Sequence, residues 1–168
     1  AVQHANAGGP MLRSEDDGET WSLASDGMGA SADRWSRVVP TLSKYFRVIA
    51  PDIIGFGYSD KPTIEYTMDF FLDFFSGFLD SLKIPKASVI GSSFGGHVAT
   101  EFSIRQNRKV DRLVLAAPAG IMRTSTPVLD GYIMAALYPT YENALKAFRD
   151  MAYDPDVVTE VVAWEPPV

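Results

Sequence analysis

A chain of 168 residues, 46% of them hydrophobic and 21% charged, has enough apolar material for one packed core and lies far from the composition of a disordered segment. A net charge of -6 argues against a nucleic-acid partner, because phosphate binding needs a basic face and the 15 Lys and Arg are outnumbered by 21 acids. The charge balance fits a small-molecule partner better, and the absence of cysteine excludes a disulfide framework, a thiolate nucleophile and any Cys-containing metal site.

Residues 1–26 carry little pattern: Gly8-Gly9-Pro10 and Arg13-Ser14-Glu15-Asp16-Asp17-Gly18-Glu19-Thr20 are polar and do not alternate, which predicts loop or a frayed end. The Ala1 to Asn6 start lacks the basic and apolar regions of a signal peptide, and no apolar run reaches the roughly 20 residues of a membrane span. A soluble, cytoplasmic chain is the expectation. From Asp33, Trp35, Val38, Val39, Leu42 and Phe46 fall near helical spacing and lead into a buried strand, Arg47-Val48-Ile49-Ala50. Pro51 opens a loop from Asp52 to Pro62 whose glycines, Gly55 and Gly57, allow sharp turns. Asp60 and Lys61 read there as a solvated turn.

Thr67 is a suitable N-cap for a helix in which Met68, Leu72, Phe75, Leu79 and Leu82 share one face, widened by Phe70, Phe71, Phe74 and Phe78. Core packing explains so apolar a helix better than a lipid or partner surface does. After Pro85, Ala87-Ser88-Val89-Ile90-Gly91 predicts a strand, residues 94–106 a helix, and Val110 to Ala116 another strand. Strand and helix alternating in units of about 30 residues predict an α/β fold with a mostly parallel sheet, flanking helices and right-handed crossovers. Beyond Pro118-Ala119-Gly120 the spacing turns helical through Leu145, Phe148 and Met151, with a last helix expected from Asp154-Pro155 through Val162.

Gly91-Ser92-Ser93-Phe94-Gly95 matches G-x-S-x-G, a weak signal alone, but here it follows an apolar strand and opens a helix, as a nucleophile elbow requires. Such a turn lifts the serine hydroxyl clear and aims helix N-terminal amides at a developing oxyanion. A plain helix cap at Ser92 and Ser93 is the structural alternative.

Four further stretches agree in order with the elbow: Gly27-Met28-Gly29-Ala30-Ser31-Ala32-Asp33-Arg34-Trp35, Arg47 to Asp52, Gly55-Phe56-Gly57-Tyr58-Ser59-Asp60-Lys61-Pro62, and Leu113 to Gly120. With them the chain resembles the α/β-hydrolase family over residues 27 to about 160, and within it the carbon-carbon bond hydrolases of meta-cleavage products and related serine esterases. The resemblance implies that Ser93 attacks a carbonyl of an ester or a vinylogous diketone. The oxyanion would be held by the amides of Phe94 and of Met28, with Gly29 as the fallback. It implies no cofactor and no metal, and leaves room for an oligomer in the complete protein. It divides the chain into a poorly patterned leader (1–26), the nucleophile half of the core (27–120) and the truncated start of a helical lid (121–168).

The family's acid and histidine follow the lid, so an incomplete triad, with neither acid nor base in this chain, and a nearly inactive fragment are expected. His97, four residues after Ser93, reads as structural, and His4 lies in the leader. Asp52 takes the loop-stabilising place in the resembled pattern. The usual apolar strand ending in His-Gly is replaced by Trp21-Ser22-Leu23-Ala24-Ser25-Asp26-Gly27, which makes a strand there doubtful and suggests that residues 1–26 derive from a truncated or frame-disturbed coding sequence. The other class of function compatible with the pattern is a non-catalytic ligand- or partner-binding domain that keeps the elbow as scaffold.

Overall fold

The computed structural model describes residues 31–138 and 140–158 in full, and the backbone of residues 3–5, 9–12 and 21–25. The chain forms two compact units, Ala1–Ile121 and Met122–Val168. The first is built on a six-stranded sheet of β1 (Gln3–Ala5), β2 (Gly9–Leu12), β3 (Trp21–Ser25), β4 (Arg47–Ile49), β5 (Ala87–Ser92) and β6 (Val110–Ala116), in the order β1-β2-β4-β3-β5-β6. The pairs β3 with β4, β3 with β5 and β5 with β6 are parallel, whereas β1 with β2 and β2 with β4 are antiparallel.

Three strands therefore lie where the sequence predicted loop. β3 is the largest correction, because it sits inside the sheet, with Leu23 opposite Ile49 on one side and Val89 on the other. Its residues show little of the usual strand signature. Pairing along both edges satisfies its backbone groups, and this tertiary context outweighs intrinsic preference.

A second correction concerns the helix expected from Asp33 to Phe46. It is two short pieces, a 3-10 turn over Ala32–Trp35 and α1 over Val39–Leu42. Pro40 stands in the first turn of α1, and with no amide hydrogen it is tolerated at a helix start but not in a helix interior. The last expected helix is represented by one 3-10 turn, Pro155–Val157, with the Asp154 carboxylate accepting from Asp156 N at 3.1 Å. Val158 follows it in a non-helical conformation, and residues 159–162 lie outside the described residues.

α2 (Met68–Ser81) and α3 (Phe94–Arg105) follow the sequence closely. Thr67 caps α2 by accepting from Phe70 N at 3.2 Å. Phe71, Leu72, Phe75 and Leu79 of α2 are buried in one cluster with Ile49, Ile53, Ile84, Val98 and Phe102. Each such side chain contributes about 1.5–3 kcal/mol on burial, so this cluster is what seats α3 and the turn preceding it. Arg105 reaches Asp69 at 2.6 Å and Lys109 reaches Asp80 and Ser76, joining the α3 end to α2 at the surface. Exposed pairs of this kind contribute at most about 1 kcal/mol.

The second unit holds α4 (Pro127–Leu137) and α5 (Tyr141–Met151). Thr126 and Thr140 cap them, accepting from Leu129 N at 3.2 Å and Asn143 N at 3.1 Å. Tyr132 meets Phe148 edge-on with ring centres 6.1 Å apart. Val128, Leu129, Ile133, Met134 and Leu137 of α4 stay exposed. Among the described residues, no helix is long and apolar enough to cross a membrane.

Candidate active site around Ser93

The carboxyl end of β5 delivers Ser93 into the turn that starts α3. Its backbone, φ 51° and ψ -121°, lies outside the ordinary regions for an L-residue, a conformation that costs on the order of 1–3 kcal/mol. Hydrogen bonds hold it there. Ser93 N donates to Ala116 O at 3.1 Å, and Ser93 O accepts from Ala119 N at 2.8 Å, Gly96 N at 3.0 Å and His97 N at 3.2 Å. The residue is exposed.

Two glycines make room for the turn. A Cβ on Gly91 would lie 2.5 Å from Gly95 O, and one on Gly96 would lie 2.7 Å from the Pro118 Cβ. Gly96, outside the five-residue motif, is thus as constrained as Gly91. The geometry favours an elbow over a plain cap, since Ser93 makes no side-chain cap hydrogen bond to α3.

Phe94 is the first residue of α3, so its amide belongs to the set that a helix N-terminus leaves without an internal acceptor. Its ring packs on Phe71, 5.2 Å away and edge-on, and on Phe56, 5.9 Å away. The other expected oxyanion donors, Met28 and Gly29, lie outside the described residues.

His97 stands one turn along α3 and is half-buried; its imidazole lies 3.3 Å from where a Cβ on Gly120 would be. The ring thus packs against the chain that leaves β6. Only the backbone of His4 is described, within β1.

Asp52 is buried, and its carboxylate accepts from Ala32 N at 2.6 Å and Tyr58 N at 2.7 Å, while its main-chain oxygen accepts from Ser59 Oγ at 2.8 Å. Burial pushes its carboxyl above the ordinary value, the two amides pull the other way, and the Asp33 charge adds to the rise. Asp33 also holds the exposed Tyr58 phenol above its usual range, through its charge and a hydrogen bond. Gly57 has φ 53°, and a Cβ there would lie 2.4 Å from the Asp52 carboxyl carbon.

Lys61 does more than end a solvated turn. Its ammonium donates to Gly57 O at 2.7 Å and Ser59 O at 3.2 Å, closing the loop on itself. Sequence reasoning also missed the contact of Phe56 with Phe94. The available signal was Asp52 followed by Gly55-Phe56-Gly57, where Gly57 leaves space for the acid and Gly55 for the Tyr66 ring.

The sequence model of the alpha/beta hydrolase fold family matches residues 26–150. The chain is 38% identical over 131 residues to the 2-hydroxymuconate semialdehyde hydrolase of Pseudomonas sp. strain CF600, an alignment covering 77% of this chain and 45% of that protein. It is 35% identical over 130 residues to the 2-hydroxy-6-oxo-2,4-heptadienoate hydrolase of Pseudomonas putida, covering 77% and 46%. Among solved structures, the meta-cleavage product hydrolase of Pseudomonas fluorescens IP01 superimposes with a TM-score of 0.77 at 36% identity, over 83% of this chain and 52% of the other. The chain thus spans about half the length of the curated relatives it matches.

Proposed function

The chain belongs to the α/β-hydrolase fold family, and from that premise we propose that it is the nucleophile-bearing part of a serine hydrolase that cleaves an ester or a carbon-carbon bond beside a carbonyl in a small-molecule substrate. The observation that carries the reading is Ser93, exposed and held in a high-energy backbone conformation at the junction of β5 and α3. Relatives named for 2-hydroxymuconate semialdehyde and 2-hydroxy-6-oxo-2,4-heptadienoate support a substrate of the meta-cleavage type.

In this mechanism Ser93 Oγ attacks the carbonyl carbon, and the negative charge that develops on the carbonyl oxygen is stabilised by the amides of Phe94 and Met28, with Gly29 as the fallback donor. Loss of one such donor slows acyl transfer about 100-fold to 1000-fold. The acyl group passes to Ser93 as the leaving group takes a proton, and water then releases it. The residues from 121 onward are read as the start of a helical lid and those of 27–120 as the nucleophile half of the core, to whose sheet the 1–26 stretch adds β1, β2 and β3.

Neither triad acid nor base is assigned within these residues. Asp52 is engaged by two amides, and His97 packs on Gly120. The chain by itself should therefore react slowly, with only the residual catalysis that binding and the oxyanion hole supply. Mixing it with p-nitrophenyl acetate tests this. The expected result is slow nitrophenol release that Ser93→Ala abolishes. A burst matching a complete hydrolase would overturn the missing base, and tight ligand binding untouched by Ser93→Ala, with no labelling by a fluorophosphonate, would favour a non-catalytic binding domain.

A further inference from the structure

We infer that Asp52 and Phe56 are positioning residues for the elbow: the Asp52 carboxylate fixes the 53–60 loop, and the Phe56 ring on that loop fixes Phe94. The inference rests on the proposed function for what the Phe94 amide does, and on contacts within the first unit for the rest.

A carboxylate buried to 3% exposure is an expensive way to hold a loop, and desolvation raises its pKa accordingly. What it offers is two acceptors at once. One oxygen takes Ala32 N and the other Tyr58 N, tying together two segments 26 residues apart in sequence. An amide side chain would present a donor to one of these N–H groups. The Gly57 backbone is pressed against the same carboxyl, so the loop has no slack on that side.

Between these fixed points the loop is closed by Phe56 N donating to Ile53 O at 2.8 Å and Gly55 N donating to Asp60 O at 2.8 Å. Phe56 leaves this frame to pack on Phe94 at 5.9 Å and on Phe71 at 6.5 Å. Phe71, 4% exposed, belongs to the core. Phe94 is therefore gripped between one ring set by the core and one set by a loop whose place depends on Asp52. An aromatic pair adds attraction beyond what burial supplies, and that biases the first residue of a helix that begins on a strained turn. A Phe94 amide displaced by a fraction of an ångström is badly aimed, and misplacements of about 1 Å can cost about 100-fold in rate.

The test labels the full chain at Ser93 with a fluorophosphonate over a range of probe concentrations, with melting temperature followed in parallel. Phe56→Ala and Asp52→Asn should lower the limiting rate about tenfold, less than outright loss of an oxyanion donor, while the half-saturating concentration stays constant. Phe56→Leu should restore most of the rate. Phe74→Ala, which removes a half-buried ring of α2 that pairs with Phe75 and Phe78, serves as the packing control. If Phe74→Ala slows labelling as much as Phe56→Ala at equal loss of melting temperature, or if Phe56→Ala leaves the rate unchanged, the relay is wrong. If the unmodified chain is not labelled at all, the proposed function fails first. Amide exchange then decides the relay: faster exchange at Phe94 in Phe56→Ala than in Phe74→Ala upholds it, and equal exchange overturns it.

Discussion

β5 and β6 run side by side in parallel register, Val89 opposite Leu113 and Gly91 opposite Leu115, yet they live in different surroundings. In β5, Ala87, Val89 and Gly91 are buried and the alternate residues half-buried. In β6, Leu113 is 37%, Val114 52% and Leu115 38% exposed, so both faces of the strand meet solvent. The sequences do not announce this difference. Leu113 to Ala117 is an unbroken apolar run of the kind found in strands covered on both faces, and it is more apolar than β5. What separates them is neighbours: among the described residues, β5 is paired on both edges, by β3 and β6, whereas β6 is paired with β5 alone. Apolar pattern records the environment a strand suits, and burial records the environment it has.

The hardest blow to this contrast should come from Gly91→Ala. The added methyl meets Gly95 O and the Gly96 Cα, which are backbone and cannot swing aside. We expect a loss of about 3 kcal/mol or more in denaturant unfolding, the upper range for overpacking, together with loss of Ser93 labelling. A mild effect would mean that β5 and α3 are less tightly joined than described.

Next come matched truncations. Val89→Ala, at a site 3% exposed, should cost about 2 kcal/mol, whereas Val114→Ala should stay within about 0.5 kcal/mol. Equal losses in urea melts would show that β6 is covered in solution by another copy or another segment.

Smaller effects concern charge. The Asp52 carboxyl is raised, so the folded state holds its proton at pH values where the unfolded chain has released it. Stability should therefore increase as pH falls from the raised value toward the ordinary one, and the group is destabilising once ionised. The Lys86 ammonium does the reverse to Asp111 on β6, holding it low, so its contribution is present above the ordinary carboxylate value and fades as pH falls below it. Unfolding of Asp52→Asn followed across mildly acidic pH should lose the first dependence and keep the second; an unchanged profile would remove Asp52 as its source. Last, Val114→Lys should leave the unfolding midpoint almost unmoved while reducing light scattering, since a charge on an exposed edge strand discourages edge-to-edge pairing. Unaltered scattering would place the aggregating surface elsewhere, with the exposed face of α4 the first alternative.

The elbow was legible because its demands are local: an apolar strand, a serine, and glycines at spacings that strand and helix geometry impose. α2 and α3 were legible for the same reason, through face periodicity and the Thr67 cap. β3 was not, because Trp21 to Ser25 become a strand by lying between β4 and β5, a condition no window of five residues contains. The break before α1 is carried by Pro40, although the apolar spacing continues across it. At the site, the bond from Asp52 to Ala32 spans 20 positions and the Phe56 contact with Phe94 spans 38, so both depend on the packed fold rather than on any motif.

The fold gains little from a serine side chain at position 93. Glycine would occupy φ 51° with less strain, and the hydrogen bonds that hold the turn come from the backbone, which glycine would supply equally. Folding alone would thus choose a different residue there. A hydroxymethyl group there serves nothing the turn needs, which fits the proposed attack of Ser93 on a carbonyl, and on that proposal Ser93→Gly should firm the protein while abolishing its labelling by a fluorophosphonate.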